Sequence, residues 1–182
     1  VGSEMCIRDS DYCVAVDGDG DRLVLSDSTG NVFNGDDIIY TLASRNKALG
    51  KDMSDSVVGT IMTNQGIGEA LAEIDVGLLR TNVGDKYVSR ELVKENLNVG
   101  GETSGHVIQR EFSESGDANI ALIQTLTAFS DLDATMTDIQ KKINYWPHKL
   151  QSYEVKNEAL LSSKEFNQKI DDLQKANTDA RI

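Results

Sequence analysis

The feature that most constrains this chain is a regular alternation of short β-prone runs with longer stretches of helical periodicity, sustained from residue 11 to about residue 143. Tyr12–Val16, Leu23–Leu25 and Val32-Phe33 read as strands, with a turn at Ser28-Thr29-Gly30-Asn31 before the last. A helix follows through Ile38, Ile39, Leu42 and Ala43, capped by Asp36 or Asp37 and stopped by Gly50. Ser56–Met62 and Gly77–Val83 have the composition of buried strands, and Ile67, Ala70, Leu71 and Ile74 mark a short helix between them. Tyr87–Asn96 is helical, with Val88, Leu92 and Val93 as its apolar stripe. Val107-Ile108 is a strand, and Ala118–Phe129 and Met136–Ile143 are helices. Strands that alternate with helices predict an α/β fold: a mixed, largely parallel sheet with helices on both faces.

The ends depart from this pattern. Residues 1–10 have no periodicity and read as a non-native tail. The rhythm breaks at Tyr145-Trp146-Pro147, which holds the only proline and is expected to be a linker or the first strand of another unit. Beyond it the chain is polar, with one helix expected over Ser163–Lys175.

A net charge of −12 over 182 residues makes nucleic acid and anionic membranes poor partners for the bulk surface. There is no apolar run near the roughly 20 residues that a membrane span needs. No signal peptide is visible, and Cys6 and Cys13 alone make neither a disulfide scaffold nor a metal set. A cytoplasmic enzyme is the expectation. An acidic protein that handles phosphate must gather positive charge locally or bring a cation.

Asp17-Gly18-Asp19-Gly20-Asp21-Arg22 follows the first strand. Glycines between the carboxylates let the backbone fold tightly, so that three anions converge. Such a cluster repels itself unless a cation sits among them, and hard oxygen donors suit Mg²⁺ or Ca²⁺. An EF-hand is excluded, because a strand precedes the loop and Ser28 stands at its twelfth position, where a Glu is required. A plain Asp/Gly surface turn is the alternative. Arg22 beside the triplet favours a phosphate ligand.

Gly100-Gly101-Glu102-Thr103-Ser104-Gly105-His106 is the second candidate site. The Glu102 carboxylate and the Ser104 hydroxyl suit adjacent sugar hydroxyls, and His106 can bind phosphate or carry a proton. A serine-hydrolase triad is disfavoured, since Ser104 lies two residues from each partner in one loop. A glycine-rich turn is the plain alternative. Lys86, in Val83-Gly84-Asp85-Lys86-Tyr87-Val88, sits where a strand meets a helix and can meet an anion, although a solvated lysine is as good a reading. Ser115-Gly116-Asp117 reads as a helix N-cap.

Taken in order, Asp17–Arg22, Asn34-Gly35-Asp36, Gly59-Thr60, Val83–Val88 and Gly101–His106 resemble the phosphohexomutase superfamily, and within it the phosphoglucosamine mutases. The resemblance covers about Asp11 to Trp146. It implies an isomerase that moves phosphate between the 6- and 1-oxygens of a hexosamine or hexose phosphate through a bisphosphorylated sugar intermediate, in amino-sugar and cell-wall precursor synthesis. It implies Mg²⁺ on Asp17, Asp19 and Asp21; substrate contacts from Glu102, Ser104 and His106; and Arg22, Lys86 and His106 in the catalytic centre. By the same resemblance, residues 11–33 close a second domain, 34–143 form a third and 144–182 open a fourth. No Ser-His-Asn-Pro-type nucleophile loop and no Arg-x-Ser-Gly-Thr-Glu-Pro-type phosphate loop is present. The resemblance therefore implies a piece of an enzyme, inactive alone. Lys86 stands where these enzymes usually have Arg, and Thr103 where they usually have an amide residue. Phosphomannomutase- or phosphoglucomutase-type enzymes and a non-catalytic sugar-phosphate-binding module remain as alternatives.

Overall fold

The computed structural model describes residues 10–51, 55–149, 151, 154–155 and 157–177. Cys6 and all but the last residue of the expected tail lie outside them. Two compact units are present, one up to Pro147 and one from His148 onward.

In the first unit, β1 (Tyr12–Val16), β2 (Leu23–Asp27) and β3 (Val32–Phe33) form an antiparallel sheet in the order β1-β2-β3. Helix α1 (Gly35–Ala48) then leads to a second sheet of β4 (Ser56–Thr60), β5 (Gly77–Thr81), β6 (Val99–Gly101) and β7 (Val107–Gln109). Its order is β5-β4-β6-β7; β5 and β6 run parallel to β4, and β7 is antiparallel to β6. Helices α2 (Gln65–Glu73) and α3 (Asp85–Lys94) carry the crossovers, and α4 (Ala118–Asp131) and α5 (Met136–Gln140) follow.

The crossovers explain why helices cover both faces. The chain steps from β4 outward to β5, then back across β4 to β6. Right-handed connections running in opposite directions place α2 and α3 on opposite sides of the sheet. The core divides accordingly. Val57 faces the main cluster, with Ile38, Ile39, Ile67, Leu71 and Ile139. Val58, one residue on, faces Val88, Leu92, Leu97 and Ile108. The expected mixed, largely parallel α/β architecture is what is found. Leu23, Leu25 and Phe33 join the first sheet to the main cluster, where the Phe33 and Phe129 rings meet edge to face at 5.5 Å.

Several boundaries moved for local reasons. The strand expected over Ser56–Met62 ends at Thr60, whose N–H is taken by the Thr63 hydroxyl at 3.0 Å in the following turn. The run expected over Gly77–Val83 ends at Thr81, and α3 starts at Asp85 rather than Tyr87. The cap of α1 is Asn34, not Asp36 or Asp37. Asn34 Oδ1 accepts from the amides of Asp36 (2.9 Å) and Asp37 (3.4 Å), while Asp37 Oδ2 accepts the Asn34 N–H at 2.8 Å, closing a capping box. Tyr145-Trp146 is not a strand. It lies along the first unit, with Trp146 N–H on Asn64 Oδ1 at 3.0 Å, Trp146 Nε1 on Glu69 at 3.0 Å and the Tyr145 hydroxyl on Asp37.

The second unit contains a short 3₁₀ turn (Glu158–Leu160) and α6 (Lys164–Ala176). Ser163 caps α6 through its hydroxyl, which accepts from Phe166 N at 3.2 Å, close to the helix expected there.

Asp37 is 1% exposed. Burial pushes its pKa up to about 6 against the hydrogen bonds from Tyr145 and Asn34, and neighbouring Asp36 adds repulsion. Because the unfolded carboxyl releases its proton near 3.8, the folded state holds an extra proton between the two values and loses stability as pH rises through that window. Asp37→Asn keeps an acceptor for Asn34 N–H and offers an amide to the Tyr145 oxygen. It is expected to flatten the decline in stability between about pH 4 and 6 by on the order of 2–3 kcal/mol. Urea denaturation at pH 4, 5, 6 and 7 checks this, and an unchanged pH profile refutes it.

Candidate functional site

The parallel strands β4, β5 and β6 end at Thr60, Thr81 and Gly101, so the loops that follow them share one edge of the sheet. That carboxyl edge is where open α/β sheets bind ligands. Two of the sequence-predicted segments lie there, the Gly84–Lys86 turn after β5 and the Gly101–His106 loop after β6. The third, Asp17–Arg22, reaches it from the first sheet.

Within Asp17–Arg22 the backbone wraps around its first carboxylate. Asp17 Oδ1 accepts from Asp21 N at 3.2 Å and Arg22 N at 3.1 Å, and Gly20 turns the chain at φ +77°. Partial desolvation opposes ionisation of Asp17, but the hydrogen bonds from Arg22 and Asp21 and the Arg22 guanidinium outweigh it and hold the pKa below the usual value. Arg22 Nε stands 3.8 Å from Asp17 Oδ2, with a half-exposed side chain. One oxygen each of Asp17, Asp19 and Asp21 lies within 4.8 Å of the others. Asp21 Oδ1 is buried without a hydrogen-bond partner. A converging carboxylate triplet in which one buried oxygen has nothing to accept is what a hard cation satisfies.

The two loops are physically joined. Arg22 and His106 form an antiparallel bridge, and Leu23 N–H donates to Gly105 O at 3.1 Å. His106 Nδ1 lies 2.9 Å from Asp21 Oδ2. His106, expected to bind phosphate or carry a proton, is buried to 4% exposure with Nδ1 aimed at a carboxylate of the triplet. Its ring lies against Gly116, where a Cβ would come 2.5 Å from Cε1. The neighbouring cap also serves the loop: Asp117 Oδ1 accepts from Asn119 and Ile120, while Ala118 N–H reaches Gly20 O at 3.0 Å. Ser115-Gly116-Asp117 is the expected cap, with Asp117 at the N-cap position of α4. The glycine before the cap makes room for the imidazole, a role that no local pattern signals.

Glu102 is fixed by a different partner. Its Oε1 accepts the Gly84 N–H at 2.9 Å. Gly84, at φ +128°, opens α3 without a side-chain cap of its own. Glu102 therefore supplies the negative charge that the helix end favours, and the Lys86 turn is brought beside the glycine-rich loop. Lys86 is exposed, with Nζ 4.9 Å from the centroid of the Tyr87 ring. Ser104 is exposed at the tip of the loop. The loop also leans on α1: Gly35 N–H donates to Thr103 O at 3.3 Å, and a Cβ on Gly35 would come 1.9 Å from Glu102 O.

The phosphoglucomutase/phosphomannomutase alpha/beta/alpha domain III pattern matches residues 34–145. The chain belongs to the phosphohexomutase family. It is 37% identical over 150 residues to a phosphoglucosamine mutase of Bordetella parapertussis, covering 82% of this chain and 33% of that protein. It is 38% identical over 154 residues to a phosphoglucosamine mutase of Thermosipho africanus, covering 85% and 36%. The chain thus spans about a third of the length of these relatives. Among solved structures, an Aspergillus fumigatus N-acetylphosphoglucosamine mutase in complex with GlcNAc-6P and magnesium superposes with a TM-score of 0.72 at 19% identity, over 93% of this chain and 42% of that one. At that identity the likeness is one of fold. No helix among the described residues is long and apolar enough to cross a membrane.

The junction between the loops should not tolerate a side chain at Gly105. This residue has φ +95°, and a Cβ would come 2.1 Å from Leu23 O. Gly105→Ala is expected to cost more than about 2 kcal/mol, from strained backbone and a forced separation of the loops. Gly18→Ala, with nothing within 4 Å of the new Cβ, is expected to stay within about 0.5 kcal/mol. Equal urea midpoints for the two variants would show that the loops do not depend on each other.

Proposed function

We propose that this chain carries the metal loop and the sugar loop of a Mg²⁺-dependent phosphosugar mutase that interconverts glucosamine 6-phosphate and glucosamine 1-phosphate. The observation that carries this reading is the Asp21–His106 contact, which joins a carboxylate triplet with an unsatisfied buried oxygen to the Glu102-Thr103-Ser104 loop. The curated relatives named phosphoglucosamine mutase point to the amino sugar. Since the chain spans about a third of their length, the phosphorylated serine of the full reaction is assigned to sequence outside these 182 residues.

Asp17, Asp19 and Asp21 would hold the Mg²⁺, which when bound offsets the negative charge of the transferring phosphoryl group. Arg22, half exposed beside the triplet, adds a cation within reach of a phosphate oxygen. His106 orients Asp21 and so acts on the metal site rather than directly on the sugar. Glu102 and Ser104 take adjacent sugar hydroxyls. The Gly84 amide fixes one Glu102 oxygen and thereby aims the other. Lys86, two residues further on, brings positive charge to the same edge. The bisphosphorylated sugar intermediate is held by the same hydroxyl contacts.

Two outcomes follow. In calorimetric titration with Mg²⁺, the chain is expected to bind, and the double variant Asp19→Asn/Asp21→Asn to lose binding. His106→Gln should weaken affinity by about 10- to 100-fold, as for other groups that orient metal ligands. Binding that survives the double variant refutes the assignment. In the full-length enzyme, Glu102→Ala is expected to lower kcat/KM for glucosamine 6-phosphate by about 10- to 100-fold, the loss of a charged hydrogen bond to a hydroxyl, with Mg²⁺ dependence unchanged. Parallel assays with glucose 6-phosphate and mannose 6-phosphate read the sugar preference. Equal use of all three by wild type and variant would remove Glu102 from substrate recognition.

A further inference from the structure

Asp36 lies outside both motifs, yet it touches the middle of one of them. It is 2% exposed in the first turn of α1. Its Oδ1 accepts from the Thr103 hydroxyl at 3.0 Å, and its Oδ2 accepts from the Asn64 N–H at 2.9 Å. Thr103 stands between Glu102 and Ser104. Asn64 stands at the other end of a second set of contacts. Its Oδ1 caps α2 through Gly66 N at 2.9 Å and accepts Trp146 N–H at 3.0 Å, while its Nδ2 donates to Trp146 O at 2.9 Å. The segment beyond is pressed onto the start of α2, where a Cβ on Gly66 would come 2.0 Å from Asn144 O. One buried, planar carboxylate thus has an oxygen on each of two loops, and the second loop clasps the residues through which the chain leaves this unit.

We propose that Asp36 is a positioning residue that couples the Gly101–His106 loop to the Asn64–Trp146 clasp. Its two oxygens are rigidly linked, so a shift of the Thr103 hydroxyl tilts the carboxylate and displaces the acceptor of the Asn64 amide. When a ligand draws on the exposed Ser104 at the tip of the loop, Thr103 beside it moves too, and the exit segment responds. That the loop holds a sugar phosphate rests on the function proposed above. The coupling itself rests only on the contacts, and it is tested without ligand.

The test is amide hydrogen exchange on the whole 182-residue chain, read alongside the fluorescence of Trp146, its single tryptophan. Thr103→Val keeps the shape and removes the hydroxyl. It is expected to speed exchange at Asn64–Ile67 by about tenfold, the loss of one buried hydrogen bond, and to shift Trp146 emission. Thr103→Ser, which restores the hydroxyl, is expected to return both to wild-type values. Coupling is reciprocal, so the reverse direction must also hold. Asn64→Ser keeps a capping oxygen but loses the amide that clasps Trp146, and is expected to speed exchange at Gly101–His106. If Thr103→Val loosens only its own loop and leaves the Asn64 amides and Trp146 emission unchanged, the proposal is wrong. Should Thr103→Val fail to fold, Asn64→Ser decides alone: unchanged exchange at Gly101–His106 refutes the coupling and faster exchange supports it.

Discussion

The site depends on one close backbone contact, the approach of Leu23 to Gly105. It places the start of β2 against the end of the glycine-rich loop, with no room for a Cβ between them. Everything chemical follows from that distance. Arg22 and His106 come into register as a bridge, and the imidazole reaches Asp21. The carboxylate triplet is then held by a residue of the opposite loop as well as by its own turn. Two motifs that are 79 positions apart from the end of one to the start of the other (Arg22 and Gly101) behave as a single wall of the site.

Around that contact the sheet sets the geometry. Three parallel strands end at one edge, and the crossovers place α2 and α3 on opposite faces. The loop after β5 and the loop after β6 therefore meet at that edge, where Gly84 and Glu102 are hydrogen-bonded. Below the edge, Asp36 and Asp37 occupy the first turn of α1 as buried carboxylates, each bonded to a segment far along the chain. Burying two adjacent acids raises both pKa values. Their retention reflects the number of backbone and hydroxyl donors they satisfy rather than any gain from charge.

Much of this was legible in the sequence. Alternating strand and helix runs define the α/β class, because apolar periodicity is a local property. The Asp17–Arg22 and Glu102–His106 segments stand out because glycines flank chemically capable side chains. Pairings between them are not local, and no single segment encodes them. The contact between the His106 imidazole and Asp21 is not legible, because the two lie 85 residues apart. The α1 cap went to the aspartates because both are good caps; Asn34 wins because Asp37 is needed to close the box from inside the helix. Tyr145-Trp146 read as a departure from the domain because proline follows it, while the amide of Asn64 that holds it there has no sequence signature.

Helix α3 shows what such long-range pairing entails for how the chain becomes ordered. It begins at a glycine that offers no side chain to its own first amides, and the acceptor it uses belongs to a residue 18 positions downstream. Without the β6–β7 hairpin in place, the Gly84 N–H at the start of α3 lacks this acceptor. Once it closes, helix and loop gain order together, and the Glu102 carboxylate is held by the same hydrogen bond. The side-chain freedom of this glutamate is thus given up during folding and not in a later encounter at the loop.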